Sequence, residues 1–197
     1  YELGNEDVTV ADDVTGTTYT YQAVPADSEQ EFLQWAVCAK TDAGSSKGLY
    51  SDLVPVGRPY ALPYCESFAN GELTNILGTN NDPYVVWDTT TDSRDVAAQD
   101  GDNGYMYMTG YFKDDEAYVF TGRIHLSGEK PGLSFHVFRL TGEDPTVVDS
   151  NEIDVYVTAD GVKTLVSHIV NSTLPKEADW NRVTVPLDVY GGKDIEL

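Results

Sequence analysis

The sequence predicts an all-β protein made of two β-sandwich modules in series, and three observations carry that expectation. Short runs rich in Val, Ile, Tyr, Thr and Phe recur along the chain, punctuated by Gly, Asp, Asn and Pro. Within those runs like residues return at every second position: Ile153, Val155 and Val157 face one way, Asp154 and Tyr156 the other. No stretch carries the 3.6-residue repeat of a long amphipathic helix.

Strands are expected over residues 7–11 and 17–24. Leu33, Trp35, Val37 and Ala39 alternate with Gln34, Ala36, Cys38 and Lys40, as in a half-buried strand. Thr41-Asp42-Ala43-Gly44 reads as a turn, with a returning strand over 49–56. Pro55, Pro59 and Pro63 then crowd nine residues and cannot sit in a central strand, because each lacks an N–H. The boundary is therefore placed here: a first module over 1–58, a stiff linker over 59–65 and a second module over 66–197. In the second module Tyr105, Tyr107 and Thr109 alternate with Met106, Met108 and Gly110. Strands are expected at 117–126 and 133–140, and Asp160-Gly161 is a hairpin turn signal from which 164–170 runs back. Val183, Val185 and Leu187 form an inward row after Trp180. Loops are expected at 66–80 and 141–150, with one helical turn near 73–77. At least six strands with long connections suggest a jelly roll or a similar two-sheet sandwich. The chain opens on Tyr1 and stops inside an apparent strand at Leu197, so a longer protein is expected around it.

Twelve basic residues against 33 acidic ones give a net charge of −21. Such a surface repels phosphate backbones and anionic headgroups, which argues against nucleic-acid and membrane-surface partners. No apolar run approaches the ~20 residues of a membrane-spanning helix, so direct membrane insertion is not expected. Cys38 and Cys65 are too few for a disulfide scaffold and lack CxxC spacing. They could pair if their Cβ atoms met, but two unpaired thiols are the expectation.

Asp100-Gly101-Asp102-Asn103-Gly104 is the most suggestive short motif. Closely spaced carboxylate and amide oxygens on a Gly-bent loop suit Ca²⁺, and the same residues equally suit a plain acidic turn. Position twelve counted from Asp100 is Tyr111, so the loop is no EF-hand. His125, His136 and His168 lie scattered, without transition-metal spacing. No nucleophile elbow or phosphate loop occurs, and Asp114-Asp115-Glu116 reads as a solvated loop rather than a glycosidase pair. No catalytic residue is expected. Trp87, Tyr105 and Tyr107, with Tyr111 and Tyr118 nearby, could stack on sugar rings or fill the core, and core filling is the commoner use. Asn171-Ser172-Thr173 fits a glycan-acceptor sequon.

Two resemblances follow from these residues. The run Trp35-Ala36-Val37-Cys38-Ala39-Lys40-Thr41-Asp42-Ala43-Gly44, followed by Tyr50-Ser51, resembles the later strands of a fibronectin type III domain. Leu33 stands where that family often keeps a tyrosine, and fewer than 60 residues imply only part of the domain. From Leu62-Pro63-Tyr64-Cys65-Glu66-Ser67-Phe68, through Trp87-Asp88 and the 100–107 loop and strand, to Trp180-x-x-Val183-x-Val185-x-Leu187, the chain resembles the MAM-like jelly rolls of bacterial surface proteins. These include cleaved-adhesin and choice-of-anchor domains. The resemblance implies structural calcium near the opening Glu and the acidic loop, making Glu66 the partner of Asp100, Asp102 and Asn103. It also implies a secreted or outer-surface bacterial protein whose partner is an extracellular glycan or protein ligand. The expected function is a non-catalytic adhesion or structural module pair. The alternatives are an accessory carbohydrate-binding module of a polysaccharide-processing protein, or a non-catalytic remnant of a secreted hydrolase.

Overall fold

The computed structural model describes residues 11–21, 25–74, 76–79, 86–92, 96–109, 115–138, 151–175 and 180–197. The chain is all-β, and it divides into two compact units, Tyr1–Arg58 and Pro59–Leu197.

The first unit contains β1 (Glu31–Leu33), β2 (Ala36–Val37), β3 (Lys40–Thr41), β4 (Gly44–Ser45), β5 (Leu49–Tyr50) and β6 (Val54–Val56). They pair β1 with β6, β2 with β5 and β3 with β4, which makes one nested hairpin closed at Asp42-Ala43. Gly44 takes φ 124° at that turn, where a side chain would be strained. Serine hydroxyls interrupt the ladder. The Trp35 N–H donates to Ser51 Oγ (3.0 Å) and the Ala39 N–H to Ser46 Oγ (2.9 Å), so the expected continuous strand is cut into short pieces. Leu33 and Trp35 are half-buried as the alternation predicts, but Val37 and Ala39 are exposed. Among the described residues of this unit only Gln30 and Gly57 are buried, and none of them covers the far end of the hairpin. Residues 17–21 form no strand, while 22–24 and most of the expected 7–11 strand lie outside the described residues.

The second unit contains β7 (Ile76–Thr79), β8 (Val86–Thr90), β9 (Tyr105–Thr109), β10 (Val119–Thr121), β11 (Ile124–His125), β12 (Gly132–Val137), β13 (Glu152–Ala159), β14 (Val162–Val170), β15 (Asn181–Pro186) and β16 (Asp194–Glu196). A four-stranded sheet runs β11-β16-β13-β14, beside the pairs β12–β15, β8–β9 and β7–β10, all antiparallel. Ile124, Leu126, Val155, Val157, Ala159, Val185, Leu187 and Ile195 form the buried core. Side chains from the four-stranded sheet and from the β12–β15 pair thus share one apolar interior. Each fully buried aliphatic there contributes roughly 1.5–3 kcal/mol. Of the inward rows read from the sequence, Val155, Val157, Val185 and Leu187 enter the core and Val183 packs against it, while Ile153 is half-buried. Asp160 (φ 52°) and Gly161 (φ 75°) make the β13–β14 turn, both with the positive φ that this two-residue connection needs.

Further expectations change. Residues 117–126 are two strands, because the chain leaves its pairing with β7 after Thr121 and joins β16 at Ile124. The stretch 59–65 does not stand clear as a linker. The Tyr60 N–H donates to the Arg123 carbonyl (2.9 Å), the His125 N–H donates to the Tyr60 carbonyl (2.8 Å), and both Tyr60 and Tyr64 pack on the core. Pro55 lies in β6 opposite Phe32, which a two-stranded ribbon tolerates. The helical turn sits at Ala69–Gly71, earlier than expected, and residues 76–79 are extended. The loop expected at 141–150 lies outside the described residues.

Candidate functional site

The turn at Ala69–Gly71 organises the region that the sequence singled out. Phe68 (φ 61°), Asn70 (φ 58°) and Gly71 (φ 72°) all adopt left-handed backbone, which costs the two non-glycines roughly 1–2 kcal/mol each. Side chains hold it from two sides. The Glu66 carboxylate accepts from the Phe68 N–H (3.2 Å), the Thr74 N–H (2.8 Å) and the Thr74 hydroxyl (3.0 Å). From the acidic loop, Asn103 Oδ1 accepts from the Asn70 N–H (2.8 Å), and Asn103 Nδ2 donates to Asn70 Oδ1 (3.1 Å). The Thr89 hydroxyl on β8 donates to the Gly71 carbonyl. Gly104 is buried against this turn: a Cβ there would lie 1.8 Å from the Phe68 carbonyl oxygen. Only glycine fits.

Glu66 and Asn103, predicted as partners, therefore meet through the turn between them. Asp100 and Asp102 serve their own loop, accepting from the Asp102 N–H (3.3 Å) and the Gly104 N–H (3.1 Å). Their exposed oxygens, with Asn103, are of the kind calcium takes, whereas the Glu66 carboxylate is committed to the turn. Among the described residues no group of three His, Cys, Asp or Glu side chains gathers.

Beside the loop lies a shallow pocket of about 290 Å³ lined by Thr91, Ala97, Ala98, Gly101, Asp102, Asn103 and Tyr105. It combines one carboxylate, one carboxamide, one hydroxyl and one aromatic ring over a small-residue floor. Its volume falls just below the range of ordinary small-molecule sites. Tyr105 is fixed there. Its hydroxyl donates to the Asp92 carbonyl (2.9 Å), and its ring meets Trp180 edge-on, with centroids 6.0 Å apart. Trp180 in turn donates to the Ala97 carbonyl (2.8 Å) and packs on Phe138.

The three aromatics expected to act together divide. In the β8–β9 ladder Tyr105 pairs with Thr90 and Tyr107 with Asp88, whereas Trp87 pairs with Met108. Paired residues share a face, so Trp87 points to the opposite side from Tyr105 and Tyr107. Trp87 is half-buried and donates to the Ala117 carbonyl (3.3 Å), Tyr107 is exposed, and Tyr105 alone joins the pocket.

Sequence reasoning missed a second cluster on the outer face of the β13–β14 hairpin. Asp154 Oδ1 lies 2.7 Å from His168 Nδ1 and accepts from the Tyr156 hydroxyl at its other oxygen (3.3 Å). The Lys163 ammonium sits 4.6 Å from the Tyr156 ring centroid and 6.0 Å from that of Tyr118, whose hydroxyl donates to Glu116. The Asp154 hydrogen bond raises the His168 pKa above its ordinary value. Glu116 raises that of Tyr118, first through their hydrogen bond and then through its charge, and the Asp154 charge raises that of Tyr156. Asp154 and Tyr156 already share a face in the alternation, but His168 and Lys163 lie across the hairpin, and only the Asp160-Gly161 turn, which fixes the register, could have revealed them. Cys38 and Cys65 are both exposed. No helix among the described residues is long and apolar enough to cross a membrane.

No family model, curated protein or solved structure matches the chain.

Proposed function

We propose that the chain is a non-catalytic binding piece of a secreted or outer-surface bacterial protein. In this reading a partial fibronectin type III-like module acts as spacer, and a MAM-like jelly-roll module carries the ligand. The observation that supports it is the pocket that joins Tyr105, a residue expected to bind ligand, to Asp102 and Asn103 of the loop expected to hold calcium. Its side chains offer hydrogen-bond acceptors and an aromatic face, but no nucleophile–base pair, which suits holding a neutral polyhydroxyl ligand better than transforming one. An extracellular glycan is the preferred ligand, and an extracellular protein the other candidate.

The same pocket supports the second reading, an accessory carbohydrate-binding module of a polysaccharide-processing protein. A glycan array followed by titration calorimetry with the best saccharide tests both. Binding lost at least tenfold in Tyr105→Ala and Asp102→Ala, with Tyr107→Ala unaffected, is the expected result. The proposal fails if no saccharide or extracellular matrix protein is retained, or if binding survives both pocket substitutions. Retention restricted to one polymer class favours the accessory module. A structural calcium on the 100–103 loop belongs to the same proposal.

A further inference from the structure

The outermost strand of the four-stranded sheet, β14, pairs on one side only among the described residues. Nine residues long, it is one of the two longest strands of the unit, and it contains neither Pro nor Gly. Residues 162–165 are all exposed, Val162 at 63% and Leu165 at 48%. An open strand edge of this kind presents a row of backbone donors and acceptors to any extended chain that can reach it. The register with β13 skips Val166, which turns inward onto the core, so the regular open stretch is its first half.

Charge selects the occupant. In a chain with 33 acidic residues, 161–176 is the longest stretch without Asp or Glu. Two copies of a polyanion of charge −21 repel one another, and β14 brings no carboxylate of its own to its edge. The strand's own cations are already engaged inside the protein, Lys163 over Tyr156 and His168 with Asp154. A partner strand therefore needs no complementary charge, only a low density of like charge, and a second copy of β14 supplies that.

We propose that β14 is a self-association edge, through which two copies of this chain pair antiparallel and continue the sheet across a two-fold axis. A two-fold through Thr164 keeps the two sheet faces aligned, sets Lys163 opposite Leu165 of the second copy and brings no like charges face to face. Because the rest of the two surfaces repels, pairing strengthens as salt rises, the reverse of an association built on opposite charges.

Sedimentation velocity of the whole chain over a concentration series, at about 20 mM and about 500 mM NaCl, tests this. The expected result is monomer at low salt and a dimer at least about tenfold tighter at high salt. Leu165→Glu and Val162→Glu should abolish it with an unchanged circular dichroism spectrum, while Val189→Glu, exposed elsewhere on the unit, should not. Hydrogen exchange of the 162–165 amides should slow as concentration rises. Monomer under every condition overturns the proposal. So does a dimer weakened by salt, one indifferent to both edge substitutions, or 162–165 amides captured only by a different protein.

Discussion

Replacing Gly104 by alanine probes the join between the acidic loop and the Phe68–Gly71 turn. The new Cβ would stand 1.8 Å from the Phe68 carbonyl oxygen and 2.8 Å from its carbon. Carbon–oxygen contacts settle near 3.3–3.6 Å, so loop and turn must separate by roughly 1.5 Å. That movement exceeds what the hydrogen bonds across the join can stretch. Asn70 N–H to Asn103 Oδ1 (2.8 Å) and Asn103 Nδ2 to Asn70 Oδ1 (3.1 Å) are lost, and Gly104 N–H to Asp102 (3.1 Å) is strained. Two or three bonds at roughly 0.5–1.5 kcal/mol each put the cost at about 1–4.5 kcal/mol. Urea unfolding followed by circular dichroism measures it. Asn103→Ala removes the bonds without the clash and should cost about 1–2 kcal/mol. The double variant should cost clearly less than the sum of the two, because the bonds can be lost only once. A Gly104→Ala change within about 0.5 kcal/mol of the parent, or strict additivity, refutes the claim that this turn is clasped by the loop.

Other perturbations read different parts of the molecule. Leu187→Ala opens a cavity at a side chain 2% exposed and should cost about 2–5 kcal/mol, against less than about 0.5 for the neighbouring, exposed Val189→Ala. His168 has its folded pKa raised by Asp154, so the stabilisation is complete below the unfolded value of 6.5 and is lost as pH rises through the folded one. NMR titration should place the His168 midpoint above 6.5, and Asp154→Asn should bring it down; an unchanged midpoint in that variant refutes the pairing. If calcium occupies the 100–103 loop, the thermal midpoint in calcium exceeds that in chelator and the difference vanishes in Asp100→Ala/Asp102→Ala. Equal midpoints in the parent remove calcium from the proposal.

The parts of the fold legible in the sequence are those where local chemistry and tertiary packing ask for the same thing. The β13–β14 hairpin is the clearest case: alternation fixes which side of residues 153–157 is apolar, and Asp160-Gly161 supplies the backbone angles of the connection. Val183, Val185 and Leu187 follow the same logic. Misreadings arise where a segment changes partners. Within Val119 to Leu126 only Gly122 marks the point at which the chain leaves β7 for β16, and a lone glycine reads equally as a bulge in one continuous strand. The 59–65 stretch misleads for a related reason: prolines forbid a central strand, yet the single residue Tyr60 can still bridge to Ile124 between them.

The same distinction explains the site. Asp100, Asp102 and Asn103 announce a loop by composition, but what the loop grips is a turn some thirty residues earlier, and a pairwise contact at that separation leaves no periodic trace. Asn70-Gly71 and Asn103-Gly104 are the two Asn-Gly pairs of the chain, and each asparagine hydrogen-bonds the other. Either pair alone reads as an ordinary turn. Together they show why the loop is acidic without needing to be a cation cage: Asp100 and Asp102 cap its amides, Asn103 reaches out to the turn, and Gly104 lets the two backbones touch. The pocket adjoins that join, since Asn103, which grips the turn, also lines it with Asp102 and Tyr105. If the proposed ligand occupies the pocket, its binding is coupled to stability at this end of the unit, and it should raise the unfolding midpoint of the parent more than that of Asn103→Ala.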